Sequence, residues 1–403
     1  MPSPTPSEPS APLPLPFPDA PTPAEAAPVD FPDYEQTERP RWQRYALHLL
    51  LFLVTLTTTT LAGAEWLTGK VFFIQGDDFK LTGWLTPAEI LQGLWFSVPF
   101  LGVLTVHEFG HYFTARRNHI RTSLPYYIPF FTGFFNTLGT FGAVIRIKDR
   151  IYSRREYFDV GLAGPLAGFL VAVPVLIYGF THLPPLTSIP VEEFYDHEDF
   201  GNTFTLARPL LYQALEYVFA DPTRLPHPNE LMHYPVLLAG ALSLFFTALN
   251  LVPIGQLDGG HILYGLLGFR RANRLSAALF VAFIFYAGLG LFTLTTSAET
   301  WLYWGGPYAL YLFLVFRKAL PTPRRGLLLA AAVWAAQVAL SSAVPGLQGQ
   351  PGWLAFGLLL GTLTGIYHPP APDERPLSAG RKVLGWLMLL IFVLCFTPSP
   401  FSS

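Results

Sequence analysis

His107-Glu108-Phe109-Gly110-His111 sets two imidazoles four residues apart, with a carboxylate beside the first. On a helix, residues i and i+4 share one face about a turn apart, so both rings can reach a single ion while Glu108 contacts a water bound to it. The single cysteine, Cys395, excludes an intramolecular disulfide and a thiolate metal site, which leaves histidines and carboxylates as ligands. That donor set suits zinc, which needs no redox control. A catalytic zinc site keeps three protein ligands and one open position. The third ligand is expected from Asn250-Leu251-Val252-Pro253-Ile254-Gly255-Gln256-Leu257-Asp258-Gly259-Gly260, where Pro253 breaks a helix and the glycines let the backbone approach the metal with Asp258 turned inward.

The surroundings of these residues sharpen the reading. Of the 403 residues, 51% are hydrophobic, 15% aromatic and only 13% charged. Soluble proteins average about a quarter charged, so an ordinary soluble enzyme is excluded. A net charge of −2 supplies no basic field for nucleic acid. Residues 1–38 are rich in Pro, Ala, Ser and acids without Lys or Arg, a composition expected to stay disordered and unlike a signal or transit peptide. Apolar runs then follow near Tyr45–Ala64, Ile90–Ala115, Phe158–Phe180, Tyr234–Leu251, Leu275–Leu294, Trp301–Phe316, Gly326–Val344, Trp353–Tyr367 and Val383–Phe396. Each is read as a transmembrane helix, so the expected fold is an all-α polytopic membrane protein of about nine spans with a small membrane-associated β-hairpin.

Loop charge supports that count. Alternate loops from the N-terminus collect nearly all the Lys and Arg, including Arg116, Arg117, Arg154, Arg270, Arg324 and Arg381, and leave only Lys70, Lys80, Arg208 and Arg224 on the opposite side. By the positive-inside rule the N-terminus is cytoplasmic and the C-terminus outside, in an integral membrane protein expected in a bacterial cytoplasmic membrane. No Lys or Arg falls inside a proposed span. The ionisable residues left deep in apolar runs are then His107, Glu108, His111 and, just past the fourth span, Asp258, and each is costly to bury without a partner.

Residues 124–147, apolar yet punctuated by Pro125, Pro129, Gly133, Gly139 and Gly142, read as a cytoplasmic-side hairpin or re-entrant loop ending in a strand at residues 140–145. Residues 182–233 read as one exterior excursion with an amphipathic helix around Leu206–Phe219. Asp159 is expected to cap the third span, and Gly161, Gly164 and Gly168 to permit close helix packing. His119 and His261 read as structural, while His182, His197, His227 and His233 belong to the exterior half.

These motifs resemble the intramembrane zinc metalloproteases of the site-2 protease type, peptidase family M50. HEFGH is similar to that family's HExxH, NLVPIGQLDG to its Asn-x-x-Pro followed by Leu-Asp-Gly, FNTLGTFGAVI to the hairpin between its first two core helices, and Gly164-Pro165-Leu166-Ala167-Gly168 to its glycine–proline motif. The resemblance covers roughly residues 90–270. It implies zinc held by His107, His111 and Asp258, Glu108 as catalytic base, and Asn250 as a contact to substrate backbone or oxyanion. No PDZ-like segment is visible, and the five C-terminal spans exceed the common core.

The expected division is a disordered tail (1–40), a first span with an exterior loop (41–89), a catalytic core (90–270) and C-terminal transmembrane helices (271–403). The implied substrates are membrane proteins with a transmembrane segment, engaged within the lipid bilayer. A helical substrate must unwind to expose an amide, and Gly142, Ala143 and Val144 offer an edge strand for it to pair with. The competing reading is a metal transporter or metal-sensing membrane protein. Such a protein usually spreads its sites along a path, whereas these residues cluster near one face and include a Glu beyond the coordination count.

Overall fold

The computed structural model describes residues 40–70, 85–132, 137–185, 205–320 and 322–402. The Pro-rich tail, Lys80, the acidic run of the 182–233 excursion and residues 133–136 of the 124–147 segment lie outside the described residues.

The chain is mostly helical. In order come α1 (Arg41–Thr68), α2 (Pro87–Gln92), α3 (Leu94–Arg117), β1 (Tyr126–Pro129), β2 (Thr140–Val144), α4 (Arg154–Thr181), β3 (Thr205–Leu206), α5 (Leu210–Phe219), α6 (Pro235–Leu251), α7 (Asp258–Leu267), α8 (Phe269–Ala287), α9 (Ala298–Phe316), α10 (Pro323–Ala343), α11 (Trp353–Leu359), α12 (Ala379–Cys395) and β4 (Phe401–Ser402). A π-helical turn, Leu360–Thr364, continues α11. Among the described residues, four stretches are long and apolar enough to cross a membrane: Trp42–Thr68, Pro87–Arg117, Arg154–Thr181 and Pro323–Ala343. Pro235–Leu251 and Trp353–Thr364 are shorter apolar helices. Every apolar run of the sequence thus falls on a helix, but length and apolarity alone qualify four crossings rather than nine.

Several helix ends differ from expectation. Helix α1 runs past Ala64 to Thr68 and carries a buried carboxylate, Glu65, which accepts a hydrogen bond from Thr132. Basic residues excluded from the apolar runs lie within helices after all, at their ends: Arg116 and Arg117 close α3, and Arg154 and Arg155 open α4. Arg116, Arg117 and Arg155 are exposed on these terminal turns, whereas Arg154 is buried and donates to the Gly265 carbonyl oxygen at 3.1 Å. The fifth run is displaced, since α8 starts at Phe269 and ends at Ala287. Between residues 182 and 233 the amphipathic helix begins only at Leu210, because Leu206 pairs with Phe401 as a strand and Pro209 marks the turn into the helix.

The start of α4 corrects the reading of Asp159. The cap is Ser153, whose hydroxyl accepts from Glu156 N–H at 3.1 Å while the Glu156 carboxylate accepts from Ser153 N–H at 3.0 Å. Only a residue just ahead of the first turn can satisfy those free amides, and Asp159 lies beyond it. Asp159 instead takes a bidentate pair from Arg381 at the start of α12, at 2.7 and 2.9 Å.

Helix α4 is the central element, packed against α3, α6 and α7. Its Gly110 neighbour on α3 shows how close the approach is, for a Cβ there would lie 2.5 Å from the Ala163 carbonyl oxygen. One core joins α3, α4 and α6 with α12, and a second joins α8 through α11. Strands β1 and β2 pair antiparallel, with Tyr126 opposite Val144 and Tyr127 opposite Ala143. They sit between α1 and α3: His48 contacts the Pro125 carbonyl at 3.0 Å, and the Thr105 and Tyr127 hydroxyls lie 2.7 Å apart. At the base, Arg121 bonds the Asp149 carboxylate from both its backbone N–H (2.6 Å) and its guanidinium (2.9 Å). That hydrogen bonding holds the Asp149 carboxyl below its usual range.

Candidate metal centre

Helix α3 supplies His107 and His111 on one face, one turn apart and both buried. Asp258 arrives from the first position of α7 after the chain leaves α6 at Leu251. His107 Nε2 and His111 Nε2 lie 3.0 Å apart, and the Asp258 Oδ2 lies 3.4 Å from the first and 3.3 Å from the second. Three ligand atoms about 2.0–2.1 Å from a tetrahedral zinc would be separated by about 3.3 Å, so the spacing fits such an ion. The tautomer fits as well. His111 Nδ1 contacts the Val160 carbonyl oxygen at 2.8 Å; a carbonyl only accepts, so the neutral ring carries its proton on Nδ1 and presents a lone pair at Nε2.

Glu108 is buried beside this trio but is not part of it. Its Oε1 is 3.9 Å from His107 Nε2, and its carboxylate interacts with the backbone N–H of Ile145, just past β2. Asn250, on the last turn of α6, brings Nδ2 to 3.4 Å from His107 Nε2. The structure therefore gathers His107, Glu108, His111, Asn250 and Asp258 at one point, with the end of β2 adjoining through Ile145. In β2 itself Gly142 has φ +104° and open space around it, Ala143 is half-buried and Val144 is 51% exposed.

The glycines after Asp258 act differently from expectation, while those of α4 do permit close helix packing. Gly259 and Gly260 bring the start of α7 against the broken end of α6 rather than against the metal position: a Cβ on Gly259 would lie 2.0 Å from the Leu251 carbonyl oxygen, and one on Gly260 2.2 Å from that of Gly255. The Gly161, Gly164 and Gly168 face of α4 forms the wall behind the histidines. A Cβ on Gly164 would sit 2.1 Å from His111 Nε2, one on Gly168 3.1 Å from His107 Cβ, and one on Gly161 2.5 Å from His261 Cβ. Their period was visible in the sequence, but not that histidine rings fill the space. His368 was missed altogether. It packs with His261 behind the site, and no motif flagged it because its partner is 107 positions away.

Residues 95–294 match Peptidase family M50. Relatives include two proteins named "Probable zinc metalloprotease EGY1, chloroplastic". The one from Oryza sativa subsp. japonica is 30% identical over 251 residues, covering 56% of this chain and 38% of the relative. That from Arabidopsis thaliana is 29% identical over 245 residues, 56% of this chain and 40% of the relative. "Probable zinc metalloprotease EGY2, chloroplastic" of Oryza sativa subsp. indica is 30% identical over 194 residues, 47% of this chain and 32% of the relative. The matches thus span between 32% and 40% of these relatives' own length. No solved structure matches.

Proposed function

We propose that this chain is an intramembrane zinc metalloendopeptidase that hydrolyses peptide bonds in or near transmembrane segments of membrane-protein substrates. The observation that carries the reading is the convergence of His107, His111 and Asp258 with Glu108 beside them but outside the ligand trio. Hydrolysis needs a carboxylate that is free of the metal to move a proton, and Glu108 stands in that place.

Zinc held by the two Nε2 atoms and Asp258 would supply a Lewis acid that acidifies water and polarises the scissile carbonyl. Glu108 takes the proton from the attacking water and delivers it to the leaving amine nitrogen. The Asn250 amide hydrogen-bonds the substrate carbonyl and holds it as charge develops on its oxygen. Backbone of β2 at Gly142, Ala143 and Val144 pairs with a locally unwound substrate, and Ile145 beside Glu108 sets the depth at which that backbone arrives.

The same reading takes nine spans, with the cytoplasmic face carrying the metal centre, the N-terminus inside and the C-terminus outside. Its support is the placement of basic residues at the helix ends that share one side: the close of α3 and the starts of α4, α8, α10 and α12. Residues 90–270 form the catalytic core and 271–403 the added helices. A bacterial cytoplasmic membrane suits this charge asymmetry. Co-expression with a library of single-span substrates tests the function. Cleavage by wild type that disappears in Glu108→Gln supports it, and substrate loss unchanged by Glu108→Gln overturns it.

A further inference from the structure

Behind the metal centre lies a cluster that the proposed hydrolysis leaves unused. The segment between the end of α11 and α12 grips the chain on both sides of Asp258. Ahead of it, Gly255 N–H donates to Ser276 Oγ at 2.8 Å, and the same hydroxyl donates to the Ile366 carbonyl oxygen at 2.8 Å. Gly255 has φ +59°, and a Cβ there would fall 2.0 Å from the Gly365 carbonyl oxygen, so this turn is pressed onto the segment. Gln256 Nε2 donates to the Thr364 carbonyl oxygen at 3.1 Å. Beyond Asp258, His261 Nδ1 meets His368 Nε2 at 2.8 Å.

The proton positions follow from the far end of that chain. His368 Nδ1 lies 2.6 Å from the Pro369 carbonyl oxygen, which can only accept. With both rings neutral, His368 donates from Nδ1 and accepts at Nε2, and His261 donates from Nδ1. The acceptor ring is fixed in turn: His368 N–H donates to Asn273 Oδ1 at 2.8 Å, Asn273 Nδ2 donates to the His368 carbonyl oxygen at 3.0 Å, and Tyr264 stacks on the ring at 3.9 Å. On its other side His261 fills the space left by Gly161.

We propose that His368 and His261 are positioning residues for the metal centre: the hydrogen bond between them ties the first turn of α7, and with it Asp258, to a C-terminal segment outside the catalytic core. The added helices then hold the third ligand in place rather than touching substrate. A ligand on the first turn of a short helix after a broken one has no neighbouring turn to fix it. Groups that hydrogen-bond a ligand directly commonly change metal affinity by about 10–100-fold, and a tie within the ligand's own helical turn is expected at the low end of that range.

This inference rests on the zinc reading of the site, and its test reads metal rather than cleavage. Zinc affinity of the purified full chain is measured by competition with a chelator. An Asn side-chain nitrogen can stand where His Nδ1 stands, whereas a Gln side chain reaches the Nε2 position, so the two substitutions at His261 separate the bond from the bulk. His368→Ala and His261→Gln are expected to weaken zinc by about tenfold or more, with His261→Asn within about threefold of wild type. Asn273→Ala, which leaves both rings intact, should shift affinity in the same direction and covers the case that His368→Ala does not fold. Wild-type affinity in both His368→Ala and Asn273→Ala, or His261→Asn falling as far as His261→Gln, would overturn the proposal. A wild type that takes up no zinc would overturn the metal-site reading and this inference with it.

Discussion

At the residue scale, the proposed metal centre depends on what is absent from α4 as much as on what α3 carries. The His111 ring occupies the volume over Gly164, where a Cβ would lie 2.1 Å from Nε2. Gly164→Ala should leave α4 helical, since alanine is the better helix former, yet displace His111. We expect zinc content after dialysis to drop steeply in Gly164→Ala; normal zinc retention would show that the ring can move without loss. That the two histidines and Asp258 come together was legible in the sequence, because the residue types, the spacing of the histidines and the place of Asp258 just past an apolar run all pointed there. Glu65 was not, because its run was ended at Ala64, and His368 was not, because nothing local marks a residue whose role is set by a contact with α7.

At the scale of elements, the β1–β2 pair is wedged between α1 and α3, with its end reaching Glu108 through the backbone of Ile145. If β2 receives the substrate backbone, its own amides should matter more than its side chains. Proline at Ala143 or Val144 removes one N–H and should sharply reduce cleavage while zinc content and membrane insertion stay normal. Val144→Ile should be nearly silent. Normal cleavage by both proline variants would remove the docking role and leave the strand as a plug. Helix identities in this region were readable from apolar runs, but their ends were not. The capping box at Ser153 and Glu156, not the charge of Asp159, begins α4, and Asp159 is committed to Arg381, more than two hundred residues away.

At the scale of the whole molecule, two large cores share one chain, and the segment at residues 364–377 reaches both, with Ile366 in the second and Leu377 in the first. Within the second core, buried Gln337 on α10 donates to the Ile284 and Phe285 carbonyl oxygens of α8 and accepts from Tyr308 of α9, so these helices are joined by polar contacts as well as packing. Sidedness is open to direct measurement. In a Cys395→Ser background, cysteines at exposed Tyr152 and exposed Leu294 should label from opposite faces, Leu294 from outside in intact cells and Tyr152 only after permeabilisation. Labelling of both from one side would break the nine-span topology.

The most direct test of the central claim sets zinc content beside cleavage in one preparation. Wild type, Glu108→Gln and Asp258→Ala are purified and given a single-span substrate. The account predicts about one zinc per chain and cleavage for wild type, full zinc with cleavage reduced by about 10²–10⁴-fold for Glu108→Gln, and neither zinc nor cleavage for Asp258→Ala. Undiminished cleavage by Glu108→Gln, or wild-type zinc in Asp258→Ala, would contradict it.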